Sequence, residues 1–246
     1  MKYLKYILLF VTAFSFSQSL LLEVSRQQAN TGGVVGAIPV YEDTSTYAET
    51  AGGTSVTLNY PTTVNVDDML IAQVFKDENV TFTVPSGWNL ISQSASNYSQ
   101  FAIWKRALGN EDGTTFSVVN SGSAGGYYWG VVHRFSGVNT SGTPFESLAT
   151  QDAAFIQNPT HNIESMTSTG ANRLAVGLVY CGDNRTILTD VVDYTVRYTQ
   201  KRTLGLDSWL LAYTYDMATA STVSQNTIDF DQNEGGGTIN FLLLPE

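Results

Sequence analysis

The same strand scheme runs through this chain twice, and that internal echo limits what it can fold into more than any other feature. The first copy extends from Asp67 to Val138 and the second from Ala171 to Pro245. Each opens with a polar turn and an apolar strand, Asp68-Met69-Leu70-Ile71-Ala72-Gln73-Val74 in one and Asn172-Arg173-Leu174-Ala175-Val176-Gly177-Leu178-Val179 in the other. Each then has a tryptophan-bearing strand, with Trp104 lying 34 residues after Leu70 and Trp209 lying 35 after Leu174. Each closes with a short strand (Thr115-Phe116-Ser117-Val118, Thr227-Ile228-Asp229-Phe230), a glycine-rich turn and a long apolar strand. A strand set that recurs predicts two Greek keys folded against each other. The expected fold is all-β, an antiparallel two-sheet sandwich of the jelly-roll kind.

Local pattern supports strands throughout. Ser55-Val56-Thr57-Leu58-Asn59-Tyr60 and Val80-Thr81-Phe82-Thr83-Val84 alternate as half-buried strands do, and no window holds a helical stripe. Charged residues are only 14% of the chain, while Tyr, Phe, Thr, Ser and Gly are plentiful, a balance that favours pleated strands and tight turns. Further strands are expected at Gln100–Ala107, Thr114–Asn120 and Tyr127–Phe135. At Pro85-Ser86-Gly87-Trp88 the chain must turn, because Pro cannot donate to a ladder and Gly accepts a positive φ. Trp88 is expected to fold back over the open end of the sandwich. The predicted core includes Leu70, Val74, Trp104, Val131, Leu174, Val176, Leu210 and Phe241.

Three segments are expected: a signal-type apolar segment over 1–18, a lead-in or linker over 19–53, and the sandwich domain over 54–246. Lys2 and Lys5, the apolar run Tyr6 to Phe14 and the small polar end Ser15-Phe16-Ser17-Gln18 make a secretory pattern, with an apolar run shorter than the roughly 20 residues that span a bilayer. Left uncleaved, the same arm suits docking in an assembly. The net charge of −10, with no Lys/Arg stripe to offset it, argues against nucleic acid as a partner. Cys181 is the only cysteine, so no disulfide forms within the chain, and its place at the end of an apolar strand reads as a small buried thiol.

The order of these motifs resembles a known group. Pro85-Ser86-Gly87-Trp88 follows a strand like Asp68-Met69-Leu70-Ile71-Ala72 and precedes Ala102-Ile103-Trp104-Lys105-Arg106-Ala107 and the turn Gly109-Asn110-Glu111. Then come Tyr128-Trp129-Gly130-Val131-Val132-His133-Arg134-Phe135-Ser136-Gly137-Val138 and Pro144-Phe145, and the chain ends on Thr238-Ile239-Asn240-Phe241-Leu242-Leu243-Leu244-Pro245. From about Thr54 onward this resembles jelly-roll proteins with a P-x-G-W motif, found in bacteriophage virions, chiefly as tail and appendage proteins, and in secreted bacterial surface proteins. The resemblance implies a structural or interaction role with no catalytic residues to carry over. It implies as partners other subunits of the same assembly, most simply in a homo-oligomer. The apolar N-terminus departs from the usual phage members and points to secretion or a cell surface, with the virion as the alternative.

Candidate sites are few. His133 lies on a strand and His161 in a polar loop, and two histidines with one cysteine do not make a zinc set. No G-x-S-x-G occurs, and the acids Glu146, Asp152 and Glu164 have no spacing that marks a glycosidase pair. The expectation is therefore a protein that is not an enzyme. Within Asp229-Phe230-Asp231-Gln232-Asn233-Glu234-Gly235, the alternating oxygens of Asp229, Asp231 and Asn233 suit calcium. Glu234 stands where the full loop needs Gly, so an acidic hairpin is the plainer reading; no other cofactor is expected. Tyr127, Tyr128 and Trp129 are consecutive strand residues, so at least one ring should face outward or into a neighbouring subunit. Such a ring would anchor a protein partner or stack on a surface glycan, which makes a secreted carbohydrate-binding module the second functional expectation.

Overall fold

Strands that are apolar on both faces decide how this chain layers. The computed structural model describes residues 36–246 except 97, 123–124, 152–157, 183–184 and 203–207. The expected signal-type segment 1–18, the lead-in up to residue 35 and the candidate acid Asp152 lie outside the described residues. The first half contributes β1 (Val40–Thr44), β2 (Ala48–Ala51), β3 (Ser55–Asn59), β4 (Met69–Lys76), β5 (Phe82–Thr83), β6 (Asn89–Ala95), β7 (Ser99–Arg106), β8 (Thr115–Asn120) and β9 (Tyr127–Ser136). The second contributes β10 (Phe145–Gln151), β11 (Asn158–Ile163), β12 (Met166–Thr167), β13 (Arg173–Cys181), β14 (Ile187–Thr189), β15 (Thr195–Lys201), β16 (Trp209–Met217), β17 (Thr222–Val223), β18 (Asn226–Glu234) and β19 (Gly236–Leu243). No helix occurs among the described residues.

All pairings are antiparallel. In the first half the larger sheet has the order β1-β9-β4-β7-β6, with β2 also on β9, and a smaller sheet has the order β3-β8-β5. In the second half the larger sheet is β10-β19-β13-β16-β15, the smaller is β11-β18-β14, and β12 pairs with β17. Position for position the two orders coincide. The domain is all-β, antiparallel and built as sandwiches, as expected. It differs from the expected plan in one respect: each half keeps its strands to itself, so the described residues form five sheets rather than two. The domain also begins earlier than expected. Residues 40–44 and 48–51, assigned above to the lead-in, are strands on β9.

Three apolar layers hold the sheets together. Side chains alternate along β4: Leu70, Ala72 and Val74 join Val56, Leu58, Phe82, Val118 and Tyr128 under the small sheet. Met69, Ile71 and Phe75 point the other way and meet Leu174, Val176, Leu178 and Tyr180 of β13. The opposite face of β13, with Ala175, Val179 and Cys181, packs with Ile163, Tyr213, Ile228 and Phe230. The large sheets therefore lie face to face, each backed by its own small sheet. Burying each such aliphatic or aromatic side chain contributes about 1.5–3 kcal/mol, and this layering explains why β4 is buried at every residue. Of the expected core, Leu70, Val74, Val131, Leu174, Val176, Leu210 and Phe241 are fully buried. Trp104 is only part-buried and meets Phe145 edge-on at 6.2 Å.

One polar side chain crosses the central layer. Gln73 Nε2 donates to the carbonyls of Val179 (2.9 Å) and Leu211 (3.3 Å), so it bonds the two large sheets to each other. Its Oε1 accepts from His133 Nε2 at 3.0 Å, which leaves Nδ1 to accept the Tyr41 hydroxyl at 3.2 Å.

Pairing registers show which residues of the halves correspond. Met69 faces Arg106 and Phe135, and Leu174 faces Asp216 and Leu243, each two residues after a non-glycine at positive φ (Asp67 at 69°, Asn172 at 59°). Met69, not Leu70, is thus the counterpart of Leu174. The match of Trp104 with Trp209 is corrected by the same register: Trp104 corresponds to Thr214, and Trp209 to Ser99 at the far end of β7. Likewise Tyr127-Tyr128-Trp129 corresponds to Gly235-Gly236-Gly237.

Candidate functional site

The aromatic triplet at the start of β9 is covered on both sides. Tyr128 and Trp129 each have 0% exposure, on opposite faces of the strand, so of the three rings expected to offer an outward face only Tyr127 is partly exposed. The reason is the layering: the face of β9 that a two-sheet sandwich leaves in solvent lies here under a small sheet. Trp129 packs on Phe75 at 4.8 Å in the central layer, and Tyr128 lies under Lys76 Nζ at 4.5 Å. Tyr127 is part-buried, with the Arg202 guanidinium 3.8 Å above its ring. Arg202 is itself buried and held by Glu49 at 3.0 Å. Protein cations occupy the ring faces that a sugar would need.

Asp229, Asp231 and Asn233 lie along the extended strand β18 and not in a loop. Residues two apart on a strand are separated by roughly 6.6 Å, too far for three carboxylate-type ligands to converge on one ion. Asp229 Oδ1 accepts the Thr160 hydroxyl at 2.9 Å, and Asp231 Oδ1 accepts the Thr186 N–H at 3.1 Å. Among the described residues no group of three or more His, Cys, Asp or Glu side chains is placed to hold a metal. The three oxygens of this candidate set are thus spread along the strand.

The histidines are interior. Burial pulls the pKa of His133 down to about 3 and that of His161 down to about 4, so both are neutral at neutral pH. His161 stands edge-on to Phe230 at 5.3 Å, and its Nε2 has no partner among the described residues. Cys181 is buried. Of the acids weighed as a glycosidase pair, Glu146 is engaged by Arg173 Nε at 3.1 Å and by the Thr169 hydroxyl at 2.6 Å. Glu164 accepts from Gln225 at 2.9 Å.

A cavity lies at one end of the second sandwich. It is open to solvent, has a volume of about 190 Å³, and is lined by Asp193, Tyr194, Tyr215, Thr222, Val223, Ser224 and Asn226. Asp193 and Tyr194 end the connection from β14 to β15, Tyr215 comes from β16, and the rest from β17 and the start of β18. The two tyrosine rings are 5.6 Å apart at 41°. Tyr194 is nine-tenths buried, and its hydroxyl has no partner among the described residues. Burial, aided by the neighbouring Tyr215, pushes that hydroxyl's pKa up, so it stays protonated and able to donate. Asn226 Oδ1 accepts the Val192 N–H at 3.0 Å, which fixes the amide so that its NH2 is the donor left for the cavity.

None of these residues was singled out from the sequence. The signal lay in Asp193-Tyr194, which occupies the place of Gly87-Trp88 before the matching strand. No helix among the described residues is long and apolar enough to cross a membrane. Compared with known proteins, the chain matches no family model, no curated protein and no solved structure.

Proposed function

We propose that this protein is a non-enzymatic structural or adhesion module, carried on a bacterial surface after export or on a virion appendage, and working as a homo-oligomer. The fusion of two like sandwiches through a continuous apolar layer carries this reading. Such a block leaves its loops and outer sheets to contact neighbours, which suits an attaching part. The low charged fraction, the many Tyr, Ser and Thr residues and the resemblance of the P-x-G-W region support the same role. Light scattering on the purified full chain tests it: a stable oligomer is expected. A strict monomer that binds glycans overturns it in favour of the second reading.

That second reading is a secreted carbohydrate-binding module. A specific observation favours it, the tyrosine-walled polar cavity of the second sandwich. It no longer involves Tyr128 or Trp129, whose faces are filled.

A further inference from the structure

The duplication lets the second-half cavity be compared with its counterpart in the first half. There, Trp88 stacks on Phe116 at 4.5 Å and 27°, and Tyr60 closes the group at 5.0 Å from Phe116 and 6.2 Å from Trp88. The three rings fill the end of the first sandwich, and Lys105 Nζ lies 5.4 Å over Tyr60. The registers identify what stands at each position in the second half. Phe116 pairs with Leu58 and Asn226 with Ile163, and both partners are fully buried core residues, so Asn226 takes the place of Phe116. Tyr60 and Ser165 each follow those partners by two residues. Gly87 (φ 79°) and Trp88 immediately precede β6, as Asp193 (φ 68°) and Tyr194 precede β15. Lys105 faces Leu70 as Tyr215 faces Ala175. Three packed rings and a cation thus become Ser165, Tyr194, Asn226 and Tyr215, with two of the three rings gone.

We infer that the second sandwich has been opened at this point into a binding site for a single neutral sugar ring, which the first sandwich lacks because its own aromatic side chains plug the same place. The inference rests on the carbohydrate-binding reading and names its site and ligand class. The chemistry of the wall selects the ligand. Hydroxyls of Tyr194, Tyr215, Thr222 and Ser224, the Asn226 amide and the Asp193 carboxylate supply both donors and acceptors, as a polyol requires. No Lys, Arg or His is among the described residues that line it, and Asp193 repels anions, so phosphate and acidic sugars are disfavoured. The Tyr215 ring gives the apolar C–H face of a pyranose a surface to lie on. A buried hydroxyl with no partner among the described residues, as at Tyr194, gains a bond when a ligand hydroxyl arrives. The volume of about 190 Å³ falls below the range typical of drug-sized ligands and suits one ring.

The test is saturation-transfer NMR on the full chain with glucose, galactose, mannose and N-acetylglucosamine, one at a time, at millimolar concentration. Transfer to the ring protons of at least one sugar is expected, with a Kd of about 1 mM for so small a ligand. Two filling variants locate the site: Asn226→Phe restores the ring of the first half, and Ser224→Trp fills the cavity from an exposed position. Both should weaken binding at least tenfold with an unchanged circular dichroism spectrum. If Asn226→Phe fails to fold, Ser224→Trp decides alone. Transfer that survives filling overturns this site but leaves the carbohydrate reading standing. No transfer from any of the four sugars overturns both.

Discussion

Acid should unfold this domain well before its carboxylates titrate, because two histidines are buried in neutral form. His133 and His161 have folded pKa values of about 3 and about 4, pulled down by burial, against about 6.5 in an unfolded chain. A depressed folded pKa means that the unfolded state binds the proton more readily. The stability tied to each neutral ring is complete above pH ~6.5 and is lost as pH falls towards the folded values. Moving from pH 8 to pH 5 crosses about 1.5 pH units of this window, which costs about 2 kcal/mol per histidine and about 4 kcal/mol for the pair. That is a large share of the 5–15 kcal/mol typical of whole domains. Other groups do not cancel it. Burial would raise the pKa of Glu111, but Lys105 and the Leu108 and Asn110 N–H groups hold it below the ordinary carboxylate range, so its loss comes below pH 5. Asp77 is raised by burial and works in the opposite direction, but it is only one half-buried carboxylate. Urea denaturation followed by tryptophan fluorescence at pH 8, 7, 6 and 5 measures the effect. Near pH 5 the slope should approach about 2.7 kcal/mol per pH unit for two protons. His161→Phe, which keeps a ring against Phe230, should remove about half of it. A fall of less than about 1 kcal/mol between pH 8 and pH 5 refutes the reasoning, as does an unchanged slope in the variant.

Two further outcomes follow from packing and charge. In Gly236→Ala the new Cβ would lie 2.1 Å from the Tyr180 carbonyl oxygen and 2.9 Å from His161 Cε1, so β13 and β19 must separate; a loss of about 3 kcal/mol in urea denaturation is expected. Glu49→Gln leaves the buried Arg202 guanidinium without this anion; because Glu49 is partly solvated, the expected loss in urea denaturation is about 2 kcal/mol.

What the amino-acid order determined by itself is the local alternation and its repetition. Val56 and Leu58 alternate with polar neighbours and so lie on a half-buried strand, while Met69 to Phe75, apolar but for Gln73, reads as an apolar strand. Gly87 and Trp88 mark a turn and a plug, and Trp88 does stack on Phe116. Alternation states that a face is covered without saying by what. The partition into two complete sandwiches, the burial of Tyr128 and Trp129, and the strands at 40–51 therefore depended on which sheets meet. The matching of Leu70 with Leu174 was one residue out for a related reason. Both positions are apolar, and only the ladder register distinguishes the face turned to the central layer from the face turned to the small sheet. The cavity was hidden more deeply. Ser165, Tyr194 and Asn226 come from three separate segments of the chain, and what opens the space is that each is smaller than its first-half counterpart. Volume left by three distant substitutions has no local pattern, so it exists only once the strands that carry them are brought together.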